Sequence, residues 1–362
     1  MRDRIITFAR DLCAIPTAPF REAGVRAYIR QFCAARGIRV REDDMGNLVV
    51  RHGGAARGPV LAFCAHMDHP GFIIEKDSRG GRTTALFYGR VGGEYIKTGR
   101  VRVFTAAGDV RGRITRYDDD KRQRLQRVHL AVAGSVRRGD MAMWELPAFK
   151  LAGDLIHTRS CDDTLGCVSV LALLDELVRR KIKRPVLGVF SVAEEGGLHG
   201  AKYMAMQGFI PKNAYLVAIE TSSALAGAKI GGGVVVRVGD RMSVFAPAMT
   251  AFLADTARDL AGRDKKFTWQ RKLMDGGTCE TTIYQQFGYR SGAVCVPLGN
   301  YHNRDDRKVR IVPEYLSVHD MECMVQLFIA SVKRAAAIPA YYRPQRPVYK
   351  EERRPLGERL FF

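Results

Sequence analysis

Apolar positions along the chain change their period several times, and each change predicts an element. Over 22–35, Val25, Tyr28, Ile29 and Phe32 recur at helical spacing, and the pattern stops at Gly37. Two short apolar runs follow, over 47–51 and 60–64, of a length suited to buried strands. From 73 to 157 the texture differs: β-rich runs at 83–88, 100–105, 110–115 and 128–132 are separated by Gly and Asp, the pattern of a small all-β module. Helix and strand then alternate again. Cys167, Val170, Leu171, Leu174 and Val178 share one helix face; 185–192 reads as a strand running into Ala193-Glu194-Glu195, and 216–219 as a strand ending at Glu220. A helix over 278–287, a strand over 293–296 and a helix carrying Met321, Met324, Phe328 and Val332 on one stripe complete the series. The expectation is an α/β domain built from 1–72 and 158–340, interrupted by a β-rich insertion over 73–157 and followed by a basic, Pro- and Arg-rich tail over 341–362.

Composition narrows this picture. At 362 residues and 46% hydrophobic content the chain can fill about two domain cores. The opening MRDRIITFARDL is charged and amphipathic, unlike a signal peptide, and no apolar run reaches the roughly 18 uncharged residues of a membrane span. A cytoplasmic location with no membrane contact is therefore expected. Eight cysteines without a CxxC pair read as reduced core thiols. The formal charge of +20 raises the question of nucleic acid. It is spread out, with 17 basic and 10 acidic side chains over 73–157 and 6 and 3 over 340–362. The densest run, 121–127, lacks the interleaved aromatics of a single-strand binder, so it reads as a solvated face and nucleic acid is not an expected partner.

Chemistry enters at the strand ends. CAHMDHPGF (64–72) places His66, Asp68 and His69 directly after a buried run; Glu194 and Glu195 end another strand, Glu220 the next, His302 follows the strand near Val296, and Asp162-Asp163 opens a helix. Taken singly, each has a plain structural reading: a polar strand end, a helix cap, a solvated acid pair, a surface histidine. In an open α/β sheet, however, groups at the carboxyl ends of strands converge on one crevice. So many carboxylates in one crevice would repel one another unless cations join them, and a pair of divalent metals accepts both carboxylate oxygen and imidazole nitrogen.

The ordered set CAHMDHPGF, SCDDTLG, VFSVAEEGGLHGA, AIE, DGGTCE and YHN resembles the glutamyl-aminopeptidase and tetrahedral-aminopeptidase family of dinuclear metallopeptidases, over nearly all of the chain before the tail. The resemblance implies a mixed-sheet α/β sandwich of the zinc-exopeptidase type with an inserted β domain. It implies two divalent ions per chain, zinc by default with cobalt or manganese as alternatives: His66 and Glu220 on one, Glu195 and His302 on the other, Asp162 bridging. Asp68 would orient His66 through its far nitrogen, and Glu194 would be the general base. Short peptides would be the substrates. The family's assemblies imply a homo-oligomer, a dimer or a dodecamer, formed through the inserted domain.

Three departures from the family pattern carry information. Glu220 stands where the family has Asp, Thr164 where it has Arg after the Asp pair, and Gly276-Gly277-Thr278-Cys279-Glu280 replaces GGTDA, so the carboxylate expected to seat a substrate amine, Glu280, is moved by one position. Two other functions stay open. One is a related metal-dependent amidohydrolase, an N-acyl amino acid deacylase or carboxypeptidase, marked by an Arg rather than a carboxylate in the cleft. The other is a catalytically silent binding protein. The role of His69 is open between a place behind the ligands and the surface.

Overall fold

In the computed structural model, residues 1–343 are described except 55–57, 90, 98, 121–124 and 226. The tail expected over 341–362 lies outside the described residues from 344 onward, as do four residues of the basic run 121–127.

Two amphipathic helices, α1 (Arg2–Ala14) and α2 (Ala23–Ala34), lead into β1 (Arg39–Glu42), β2 (Leu48–His52) and the wholly buried β3 (Leu61–His66). The next strands are β4 (Gly71–Ile74), β5 (Arg82–Tyr88), β6 (Arg100–Thr105) and β7 (Gly108–Asp120), with the single turn α3 (Gly93–Ile96) between β5 and β6. With β8 (Leu125–Val132) and β9 (Met141–Trp144) they close into a barrel of order β4-β5-β8-β7-β6-β9. Closure leaves no unpaired edge. Alternate inward residues, among them Phe72, Phe87, Val101, Val128 and Trp144, fill its own core.

The hairpin of β10 (Lys150–Ala152) and β11 (Leu155–Thr158) belongs to the large sheet, so the β-rich stretch expected as one module over 73–157 divides between two sheets. The second half of the chain gives α4 (Thr164–Arg179), β12 (Val186–Ser191), α5 (His199–Gln207), β13 (Tyr215–Ser223), β14 (Val234–Gly239), α6 (Pro247–Arg263), β15 (Trp269–Leu273), α7 (Glu280–Gln286) and β16 (Arg290–Gly299). A two-residue ribbon, β17 (Arg304–Asp305) and β18 (Arg310–Ile311), precedes β19 (Glu314–Ser317), α8 (Val318–Arg334) and α9 (Ile338–Tyr341).

The large sheet has the order β1-β2-β12-β3-β13-β16-β19-β11-β10, with β14 and β15 branching from β16. Its centre, β12-β3-β13-β16, is parallel, and these strands read as continuous apolar runs because helices cover both faces. Residues from α1, α4, α6 and α8 pack with one face, while Met204 and Ala205 of α5 and Ile283 and Tyr284 of α7 pack with the other. The result is an α/β/α sandwich carrying a barrel. The stretch Val318–Tyr341 has the length and apolar content of a membrane span, which the sequence reading did not anticipate, but its apolar side chains belong to this core.

Candidate active site

The four parallel strands deliver their carboxyl ends to one edge of the sandwich. His66 is the last residue of β3 and pairs with Ser191, the last of β12; Glu194 and Glu195 lie just beyond. Glu220 pairs with Cys295 on β16, so it sits within β13, which continues to Ser223 instead of ending at the acid. His302 follows β16 in a single 3-10 turn at φ 55°, flanked by the left-handed Asn300 and Asn303. Non-glycine residues in this region are uncommon and need a structure that holds them there. Asp162 and Asp163, joined by a cis peptide, enter α4. A Cβ at Gly166, one turn later, would lie 2.1 Å from the Asp163 carboxylate, so glycine leaves that side chain its place.

The side chains converge. His66 Nε2 is 3.4 Å from Asp162 Oδ1, 3.8 Å from Glu220 Oε2 and 4.0 Å from Glu194 Oε2. His302 Nε2 is 3.0 Å from Glu195 Oε1 and 3.7 Å from Asp162 Oδ2. Asp162 thus turns one oxygen toward each histidine. Donor atoms of His66, Asp162 and Glu220 lie within 4.8 Å of one another, as do those of Asp162, Glu195 and His302. Glu220 Oε1 is buried with no hydrogen-bond partner, and His302 Nε2 and Glu195 Oε1 are close without aligning as a hydrogen bond. Buried donors left over in this way, in a mixed nitrogen and oxygen set, fit divalent cations.

The local charges point the same way. Burial opposes protonation of His302, but the charges of Glu195 and Asp162 outweigh it and push the imidazole up to about 10. Burial raises Glu220 to about 8, with the charge of Asp162 adding to it. Burial also pushes Glu194 well above the carboxylate range, and the charges of Glu195, Glu220 and Asp68 add to that. Asp162 is held below its ordinary value because His302 and His66 outweigh its burial. Such a field draws in positive charge, as protons or as metal.

Asp68 and Glu280 sit differently from the sequence expectation. Nδ1 of His66 takes the backbone carbonyl of Asp68 at 3.1 Å; the Asp68 carboxylate is 3.5 Å away and accepts instead from the backbone N–H groups of Glu194 and Glu195, both at 2.9 Å. Asp68 therefore fixes the loop that carries the two glutamates. Glu280 is buried, bonded to Tyr284 Oη at 3.3 Å, and its Oε1 has no partner among the described residues. It is the first residue of α7 and is not among the residues that line the cleft.

Three supporting residues escaped or were left open by sequence reasoning. Glu22 accepts from the N–H of Ala193 at 2.9 Å, so with Asp68 it holds three consecutive amides, 193 to 195. Glu314, fully buried, accepts from the N–H groups of Cys161 (2.7 Å) and Asp162 (3.3 Å) with one oxygen and from that of His302 (2.8 Å) with the other. His69 is buried too, its Nδ1 donating to the Asp162 carbonyl at 2.5 Å and its Nε2 3.0 Å from Asn303 Oδ1. Since Asn303 Nδ2 has no partner, the amide turned over would donate to that nitrogen. His69 thus lies behind Asp162 and away from the surface. Beside Asp162, Glu220 and Tyr301 the cleft is lined by Arg237, whose buried guanidinium reaches Ser222 Oγ at 3.4 Å and the Met274 carbonyl at 3.3 Å. No carboxylate lies within ion-pair distance of it among the described residues.

A model of the family described as M42 glutamyl aminopeptidase matches residues 46–310. This chain belongs to that family. It is a metal-dependent aminopeptidase. The glutamyl aminopeptidase of Lactococcus lactis subsp. cremoris is 23% identical over 293 residues, covering 72% of this chain and 82% of the relative. Among solved structures, a TET aminopeptidase from a marine-sediment Thaumarchaeota archaeon superposes with a TM-score of 0.78 at 20% identity, covering 94% and 99% of the two chains. A Pyrococcus horikoshii TET peptidase, described as assembling into a tetrahedron or a large octahedral shell, gives 0.73 at 22%, covering 91% and 99%. At these identities the likeness of the structures establishes the fold.

Proposed function

We propose that this aminopeptidase works with two divalent ions, zinc by default, held by His66, Asp162 and Glu220 on one side and Asp162, Glu195 and His302 on the other. The observation that carries the reading is the Asp162 carboxylate, which turns one oxygen toward each histidine. When bound, the ions would supply the charge that polarises a peptide carbonyl and makes water acidic enough to give up a proton near neutral pH. Glu194 is the general base. Its carboxylate is 4.0 Å from His66 Nε2, makes no hydrogen bond among the described residues, and is free to take the proton of the attacking water and return it to the leaving amine nitrogen as the C–N bond breaks. Asp68 and Glu22 keep that carboxylate in place through the backbone of 193–195.

Arg237 supports a preference for peptides whose N-terminal residue is acidic. Arg237 lines the cleft with no carboxylate in ion-pair contact among the described residues, and an anionic side chain entering the cleft would supply one. Arg237→Met is expected to raise KM for peptides with N-terminal Glu by about tenfold or more and to leave N-terminal Leu peptides nearly unchanged. Equal loss on both would remove the preference. The same arginine is the observation that favours the second reading, an amidohydrolase in which Arg237 seats a C-terminal carboxylate; cleavage of N-acetylated peptides is the result that reading predicts. The short peptide length of the substrates, a cytoplasmic setting for the eight buried free thiols and a homo-oligomer through the inserted barrel complete the reading.

A further inference from the structure

At the amino end of the parallel strands, away from the metal centre, lies a cavity of about 420 Å³ lined by Arg36, Arg39, Arg51, His52, Lys181 and Lys183. It is bounded by the turn after α2, the end of β2 and the loop from α4 to β12. His52 pairs with Val186, the first residue of β12, whereas His66 pairs with Ser191, the last, so a strand of six residues, roughly 17 Å, separates cavity and catalytic cluster.

Among the described residues no carboxylate lines the cavity. Arg36 is neutralised by Asp175, which Arg4 also engages. Arg39, Arg51, Lys181 and Lys183 have no ion pair among the described residues, and the buried Nε of Arg51 has no hydrogen-bond partner. Lys181 and Lys183 follow the carboxyl end of α4, where a helix favours cations. That does not account for Arg39 and Arg51, which come from β1 and β2 and face each other across that pairing. Four cations held together in a concavity repel one another, and an anion that joins them stabilises the whole. The floor is apolar, with Leu177 and Ile182.

We propose that this basin binds a small phosphate-bearing anion. Guanidinium forks and ammonium groups together are the usual donors to phosphate oxygens, and the volume falls in the range of about 300–1,000 Å³ typical of small-molecule sites, too small for a nucleic acid duplex. A free polyphosphate and a nucleotide share this chemistry, and the apolar floor gives a base something to lie on.

The test is titration calorimetry of the full chain with inorganic tripolyphosphate. Competition of this probe for bound metal is common to every variant, so differences between variants report the basin. Saturable binding at one site per chain is expected, weakened about tenfold or more in the exposed-residue variant Arg39→Ala/Lys183→Ala and in Arg51→Ala, but unchanged in Lys265→Ala/Lys266→Ala, which lie in the turn after α6 and do not line the basin. Absence of saturable binding to the wild type, or the same loss in the Lys265/Lys266 control, overturns the proposal. Substituting ATP as the probe separates the two sources: tighter binding than tripolyphosphate assigns a nucleotide, equal binding a free polyphosphate.

Discussion

At the scale of single residues, the site divides into groups that would touch metal or substrate and groups that hold them. Glu194→Gln keeps size and loop bonds but removes the proton acceptor. The expected result is kcat lower by about 10²–10⁴ with metal content unchanged, measured by steady-state kinetics and elemental analysis of the same sample. Glu314 acts through others. Its two oxygens satisfy three backbone N–H groups on two separate segments, and a glutamine would turn an N–H₂ toward one of them. Glu314→Gln should therefore weaken metal binding by about 10–100-fold, read by competition with a chromogenic chelator. Unaltered affinity would reduce Glu314 to a packing residue.

At the scale of elements, Glu22 sits at the start of α2, where burial and then the charge of Asp68 push its carboxyl up to about 7 from an ordinary 4.5. The folded chain thus holds a proton that the unfolded chain has already released across that interval. The stability this group contributes is complete below about pH 4.5 and declines as pH rises to about 7. In metal-free protein, Glu22→Gln should flatten the fall in melting temperature over that window; an unchanged slope would assign the pH dependence elsewhere. Elements also show what was legible in the chain. His66, Asp162, Glu194, Glu195, Glu220 and His302 could be picked out because each follows or interrupts an apolar run, and the parallel order of β12-β3-β13-β16 brings such positions together. Glu22 and Glu314 could not, since their partners are backbone amides 171 and 153 residues away, which leave no trace in residue type or spacing. Glu280 meets the same limit: which way its side chain turns depends on how α7 packs against β13 and β16, and the one-residue shift in the motif does not reveal it.

At the scale of the whole molecule, the barrel has a core of its own between β3 and β10, so the proposed assembly through it would leave the catalytic sheet unaltered. Outside the barrel, Met242, Val244 and Leu273 are exposed together where β14 and β15 end, an apolar surface that a second subunit contact would cover. Light scattering coupled to gel filtration is expected to show a mass at least twice the 40.3 kDa of one chain; a monomer at micromolar concentration would contradict the assembly. The most direct test of the central claim is metal stoichiometry measured together with release of free amino acid from matched unblocked and N-acetylated peptides, before and after chelation. Two ions per chain, with cleavage confined to unblocked peptides and lost and restored with the metal, is the expected result. Undiminished cleavage after the metal is gone, or equal cleavage of the acetylated peptides, would contradict it.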